Sequence, residues 1–453
     1  MTSTAARAGS GEWPPTAAQL RAATVAVVAL GVGVVARRAD LMLFAVPFAI
    51  AATWGALRRP TASSDVQLGV EAASLFEGQS TRLFVAVDVG GPDIDVVTVV
   101  LEPDEFTVLD VASPVLAMAP SGSTRRTFDL RTVRWGKRAI TVRQVVCTSP
   151  LGAYRSTQGP MRPIRMSTLP LRETFAAVDS IPRPAGIVGL HRSRRPGDGS
   201  EFADVRPFQL GDRLRRVNWP ISLRTGELHV NSTWSDRDTE VVLILDTEHD
   251  YGHSEGIDGA ASSLDTAVRA TASIAEHYLR HGDRVSVVDL GQRVRRVPAG
   301  TGRGHLRRIL DVLVAATPGE VRGGARRRIR PPRHGDLVVV LSPVTGTVAA
   351  SQVAVLVAQG HTVILIDTLP TDIVAQSETG WAALAWRLRL LERQVELDQL
   401  MDLGVPVVAW RGSGSLDDVL RRVSRLSSAP RVRGGSSLAG SSGSASGGRG
   451  GRR

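Results

Sequence analysis

TEVVLILD, residues 239–246, is an apolar run that ends in an acid. A strand buried on both faces reads this way, whereas a half-exposed strand alternates polar with apolar residues. The downstream sequence repeats the theme. DGAASSLDTAVRATASIAEHYLRHG (258–282) has helical periodicity and a glycine stop. RVSVVDLG (284–291) reads as a strand that hairpins with RVRRVPAG (293–300), and GRGHLRRILDVLVAA (302–316) as a helix. DLVVVLSP (336–343), HTVILIDT (361–368) and GVPVVAW (404–410) are further buried strands, with helical stretches near 347–359, 380–402 and 415–426. Strands alternating with helices predict a doubly wound, mostly parallel α/β sheet over residues 236–428. Beyond it, residues 429–453 are a Gly/Ser/Arg tail.

Upstream the character changes. TRLFVAVDV (81–89), DVVTVVLE (95–102), RRTFDLRTV (125–133) and KRAITVRQVVC (137–147) are rich in Val, Thr and Ile and bounded by turn residues. They predict a β-sandwich-like domain over 61–175, acting as a spacer or docking module. Earlier still, AATVAVVALGVGVVA (22–36) and LMLFAVPFAIAATWGAL (41–57) flank a short RRAD turn. Two such runs in succession predict a transmembrane helical hairpin over 21–59, behind an N-terminal tail of residues 1–20. Arg7, Arg21, Arg58 and Arg59 lie outside the hairpin and Arg37 and Arg38 in its turn. The positive-inside rule then puts both termini and the soluble domains in the cytoplasm, with the hairpin held in membrane lipid.

The 453 residues are 43% hydrophobic and 22% charged, with a net charge of +11. Lys137 is the only lysine, so the excess is arginine, in keeping with the residue bias of a GC-rich genome. There is no zinc-finger spacing, no RNA-recognition signature and only 4% aromatic residues, so nucleic acid is not an expected partner. Cys147 stands alone, which rules out an intramolecular disulfide and a cysteine metal cage. The basic run RGGARRRIRPPRHG (322–335) reads as a solvated loop or a headgroup patch.

In an open α/β sheet, ligands bind beyond the carboxyl ends of the strands. LDTEHDYGHSE (245–255) places Asp246, Glu248, His249, Asp250 and His253 there. A carboxylate set of Asp246, Glu248 and Asp250 suits a hard cation, Mg2+ or Mn2+, whereas the histidines suit a borderline metal. The plainer reading has Asp246 bonding loop amides, with no cofactor expected. GTGRGH (300–305) lacks the phosphate-loop lysine and reads as a tight turn before a helix. No nucleophile elbow or Cys–His pair occurs, so nothing demands an enzyme. A hydrolase or nuclease would lack the second half of its site.

Between the two domains, residues 176–235 form a connector rich in Arg, Pro and Gly. It contains GDGSEFADVRPFQLGDRLRRVNW (197–219), which shows neither strand alternation nor a helical stripe and reads as an ordered loop. Gly197 and Gly199 permit a tight path, and Gly211-Asp212 marks a turn. Glu201, Asp204 and Asp212 can pair with Arg206, Arg213, Arg215 and Arg216 through bidentate contacts. Phe202, Phe208 and Trp219 are expected to pin the loop to the α/β domain. It is either a charged clasp between domains or a recognition surface for a protein or anionic ligand.

The element order after residue 236 resembles the von Willebrand factor A domain. Members with a working metal site carry Asp-x-Ser-x-Ser after the first strand, a loop threonine and an Asp after a central strand. Asp246 matches the first position, Glu248 and Asp250 replace the two serines, Thr301 is the candidate threonine, and Ser342 stands where the Asp is usual. The resemblance implies either an altered cation site serving adhesion or a site that has lost its metal. The connector, in turn, resembles the signature of bacterial domain-of-unknown-function family 58, through Gly199, Glu201-Phe202, Arg206, Phe208, Gly211-Asp212, Arg216, Asn218-Trp219 and Gly226. Pro220-Ile221-Ser222 departs from its usual small-residue pair. That resemblance implies two transmembrane helices, a β-rich segment, an A-like domain and a MoxR-type AAA+ ATPase as partner. The expectation is a membrane-anchored interaction or scaffold protein; the alternative is a metal-dependent adhesion module.

Overall fold

The computed structural model describes residues 2–7, 12–61, 64–111, 113–119, 122–172, 193–209, 214–235, 240–291, 296–319, 332, 336–371, 373, 380–412, 414, 415, 417–419 and 421. The tail and nearly all of the basic run 322–335 lie outside this set.

Two helices, Ala17–Val35 and Ala39–Leu57, pack as an antiparallel hairpin, each long and apolar enough to cross a membrane and mostly exposed. Three polar side chains bond within the pair. Gln19 donates to the Ala52 carbonyl at 2.8 Å, and Thr24 and Thr53 donate to carbonyls one turn back. Both ends of the hairpin meet the β-rich domain. Thr16 Oγ1 donates to the Gly152 carbonyl at 2.6 Å. Residues Thr2–Arg7, read from sequence as part of a tail, pair antiparallel with Ser64–Val70 just after the second helix.

The β-rich domain is two packed sheets. One runs in the order Thr2–Arg7, Ser64–Val70, Ser80–Val89, Ser123–Thr132, Thr107–Leu109; the other Ser74–Phe76, Ile164–Leu169, Gly136–Thr148, Val96–Pro103, Val115–Met118. Alternate residues point inward, so Leu68, Leu83, Val85, Ile140, Val142 and Ile164 fill one core, with Cys147 buried among them.

In the third unit the sheet order is Arg296–Gly300, Arg284–Asp289, Glu240–Leu245, Leu337–Ser342, Thr362–Asp367, Val407–Ala409. All neighbours are parallel except the hairpin of the first two. The continuous apolar runs are buried on both faces, as their sequence predicts. Helices Ser263–Arg280 and Gly302–Val314 cover one face; Thr347–Ala358 and Gly380–Asp402 cover the other. The chain builds the sheet outward from Glu240–Leu245 on one side first and on the other side later, so the strand ends at Leu245 and Ser342 lie at a topological switch point, where such sheets open a crevice.

The connector departs from its expected form. Ser193–Pro207 is a strand, bulged at several points, paired antiparallel with His229–Ser235. Glycine, proline and charge hide the strand Ser193–Pro207 in the sequence, and its pairing is broken by register shifts, so no regular alternation marks it.

Candidate functional site

The crevice is built from the ends of three strands. Asp246 follows Leu245 and is buried. Its Oδ1 accepts the Glu248 backbone N–H at 3.0 Å, and its Oδ2 accepts the Ser342 hydroxyl at 2.6 Å. Ser342 Oγ in turn accepts the Val344 N–H at 2.9 Å. Burial raises the Asp246 carboxyl above the ordinary carboxylate range, against the pull of the Ser342 and Glu248 hydrogen bonds. Val344 is fully buried with φ of 50°, a left-handed conformation that costs a β-branched residue about 1–3 kcal/mol. Next to Asp246, Thr247 Oγ1 donates to Asp289 Oδ1 at 2.5 Å, which also accepts the Gly291 N–H. Sequence reasoning misses Asp289; its signal is an acid ending a buried strand, as at Asp246.

The three candidate ligands do not converge. Asp250 Oδ1 accepts the Leu264 N–H at 3.0 Å at the start of helix Ser263–Arg280, and its Oδ2 pairs with Arg134 at 3.3 Å. Glu248 approaches Gly346, where an added Cβ would stand 3.0 Å from Glu248 Oε2. Thr301 lies at the other edge of the sheet. The antiparallel hairpin carries the chain back so that Gly300 pairs with Val285, at the amino end of its strand. Among the described residues, no group of three His, Cys, Asp or Glu side chains is placed to hold a metal ion.

Helix Gly380–Asp402 roofs this edge. Arg393 donates to the Pro343 carbonyl at 2.7 Å and pairs with Asp367; Arg389 donates to the Thr345 carbonyl. Trp386 packs on Tyr251 with centroids 5.5 Å apart. Guanidinium groups thus supply positive charge at the strand ends.

The connector residues build a separate arm. Asn218 caps helix Trp219–Thr225, accepting the Ile221 N–H at 3.2 Å, and its amide donates to Asn231 Oδ1 at 2.8 Å. Pro220 sits in the first turn, where its missing N–H costs nothing. Gly226 ends the helix at φ of 75°, which glycine adopts without strain. These positions are structural. Trp219 is different. Expected to pin the loop down, it is 60% exposed, and Leu223 beside it is 82% exposed, with Leu214 and Leu228 also open to solvent. The short helix spends its inward face on Ser222, bonded to the Asn218 carbonyl, so its large apolar residues face out. Phe208 is half-buried, its N–H on the Leu228 carbonyl at 2.8 Å. Asp204 accepts its neighbour Val205 N–H, and Arg206 donates to the Pro207 carbonyl. Arg216 lies in a single 3-10 turn. Gly199, Glu201 and Phe202 lie on the ribbon strand, with their side chains outside the described set, as are Gly211 and Asp212.

The segment that carries both the arm and the crevice, residues 204–377, matches the family described as Protein of unknown function DUF58. That segment belongs to this family. An uncharacterized protein of Mycobacterium tuberculosis is 31% identical over 195 residues, which cover 41% of this chain and 60% of that protein. The chain therefore spans less than two thirds of the relatives it matches. The uncharacterized protein YeaD of Bacillus subtilis is 26% identical over 153 residues, 32% of this chain and 35% of that one. Among solved structures, Escherichia coli alpha-2-macroglobulin from domain MG7 to the C-terminus is 17% identical over 25% of this chain and 18% of that chain. Its TM-score of 0.21 carries no argument.

A buried polar network, missed in the sequence, locks the DUF58 segment to the β-rich domain. The Glu77 carboxylate is fully buried and accepts Arg269 Nε at 3.0 Å and Nη2 at 2.9 Å. It also accepts the N–H groups of Trp135 and Leu171. Asp265, likewise buried, accepts Trp135 Nε1 and Arg134 Nε, both at 2.8 Å. At the rim, Arg131 grips Asp258 with bonds of 2.7 and 2.8 Å. Gly256 has φ of 84°, and an added Cβ would meet the Val133 carbonyl at 2.6 Å. Trp135 and Leu169 are buried in the same cluster as Ile274 and Leu310. The β-rich domain is thus docked on the helices rather than tethered.

Proposed function

We propose that this chain is a membrane-anchored interaction protein, in which the hairpin holds a rigid soluble body and the arm engages a protein partner. The observation that carries this reading is the exposed Trp219–Leu223 patch on a well-capped helix. An aromatic anchor with aliphatic neighbours, preordered and open to solvent, is what a binding hot spot requires. The α/β unit is a von Willebrand A-like domain in this reading. Its crevice works without a cation, because Ser342, Arg389 and Arg393 already satisfy the strand-end acceptors. The hairpin lies in the bacterial cell membrane with both flanks on the soluble domains' side, the cytoplasm. The partner class is a MoxR-type AAA+ ATPase, in line with the family resemblance.

The test is co-purification of the full chain, solubilised in detergent, with such an ATPase, beside a Trp219→Ala/Leu223→Ala variant. The wild type retains the ring and the variant loses most of it. Equal recovery of an unrelated AAA+ ring would sink the assignment of partner.

A further inference from the structure

Helix Gly380–Asp402 lies just beyond the family segment and has two apolar faces. Arg393, Leu397 and Leu400 are buried against the α/β unit. On the other side Trp381, Leu384, Leu388, Leu391 and Val395 are all between 55% and 82% exposed. Their spacing alternates three and four residues, the a and d positions of a heptad repeat. The seam runs about 21 Å at 1.5 Å per residue. It stops where Asp398 and Asp402 take the next d and a positions. A soluble surface does not leave such a stripe uncovered without use.

We propose that the seam pairs with the same seam of a second copy, as a parallel, in-register two-stranded coiled coil. Charge complementarity selects this occupant. With Trp381 at a, Arg387 is at g and Glu392 at the next heptad's e, and both are exposed. In a parallel pair these two positions face each other across the seam, so each copy's Arg387 meets Glu392 of the other. Gln394 and Gln399, the next such pair, can hydrogen-bond. An antiparallel pair sets g against g and e against e, and both attractive contacts are lost. A lipid surface fits poorly. Glu392, Asp398 and Asp402 border the seam, and this helix covers the sheet face opposite the one that meets the hairpin-bearing β-rich domain. A free helix of this length is marginal in water, but here packing has already formed it, so pairing does not bear the ordering cost.

The experiment is sedimentation of the detergent-solubilised full chain at micromolar concentration. The wild type is expected as a dimer, and Leu388→Lys as a monomer with an unchanged melting curve. Arg387→Glu and Glu392→Arg each weaken the dimer at least about tenfold, one 1.4 kcal/mol step. Mixing those two variants restores it as a heterodimer, even if Leu388→Lys fails to fold. Cys147 is buried and the only native thiol, so Trp381→Cys gives a clean oxidised dimer if the parallel register holds. A monomeric wild type overturns the proposal, whether its seam binds vesicles, another protein or nothing. So does a dimer indifferent to Leu388→Lys, or cross-linking of Trp381→Cys to Val395→Cys in place of 381 to 381.

Discussion

Arg269 places two guanidinium N–H groups on the carboxylate of Glu77, 192 residues away in sequence and in a different domain. Burial disfavours the Arg269 charge, but Glu77 more than offsets this and holds the guanidinium above its ordinary pKa. A bidentate pair this deep fixes one docking geometry.

Removing one partner leaves a buried charge without its counterion, which costs about 3–5 kcal/mol. Glu77→Gln and Arg269→Met are each expected to lower the chemical unfolding midpoint of the full chain in detergent, tracked by circular dichroism. The apolar double replacement Glu77→Leu/Arg269→Leu recovers part of the loss. Singles that melt like wild type would show that the two domains are not coupled through this pair.

Ser342→Ala strips a donor from a buried carboxylate and is expected to cost about 1–3 kcal/mol. Asp246→Asn is expected to be neutral or stabilising at pH 7. The sign comes from the raised pKa. A carboxyl held above its unfolded value of 3.8 contributes stability that is full below that pH and lost as pH rises through the folded value. Melts of wild type minus Asp246→Asn should therefore fall with rising pH above about 4; a flat difference would mean Asp246 is not strained by burial.

His277 shifts the other way. Burial first, then His281 and Arg280, lower its pKa to about 4 from 6.5. The fold disfavours its protonation, so stability drops as pH falls from about 6.5 to about 4. The side chain is part-exposed, so the loss is on the order of 1 kcal/mol after solvent screening. His277→Asn should flatten that acid limb, read by denaturant melts at pH 5 and pH 7.

Much of the architecture is legible in the sequence, because TEVVLILD, DLVVVLSP and HTVILIDT each carry a local pattern set by burial on two faces. The hairpin is legible for the same reason, through length and lack of charge. Contacts built from distant residues are not. Glu77, Trp135, Asp265 and Arg269 share no motif, and nothing local announces that they meet. The same holds for the crevice. Spacing alone puts Asp246, Glu248 and Asp250 together, but Asp250 is drawn off by a helix start and by Arg134 from another domain. Thr301 fails for a topological reason, since a hairpin reverses the chain before it. Trp219 fails because a large aromatic reads as an anchor inward, when the helix it begins is too short to bury it.

Photo-cross-linking from position 219 tests the proposed partner-binding role of the arm most directly. The full chain carries a benzophenone amino acid in place of Trp219, in membranes of cells that also make a MoxR-type ATPase. The expected result is an adduct with that ATPase, absent when the probe replaces the exposed residue Val108 on the β-rich domain. A probe at 219 that joins only lipid or other parts of its own chain, in protein that melts like wild type, would contradict it.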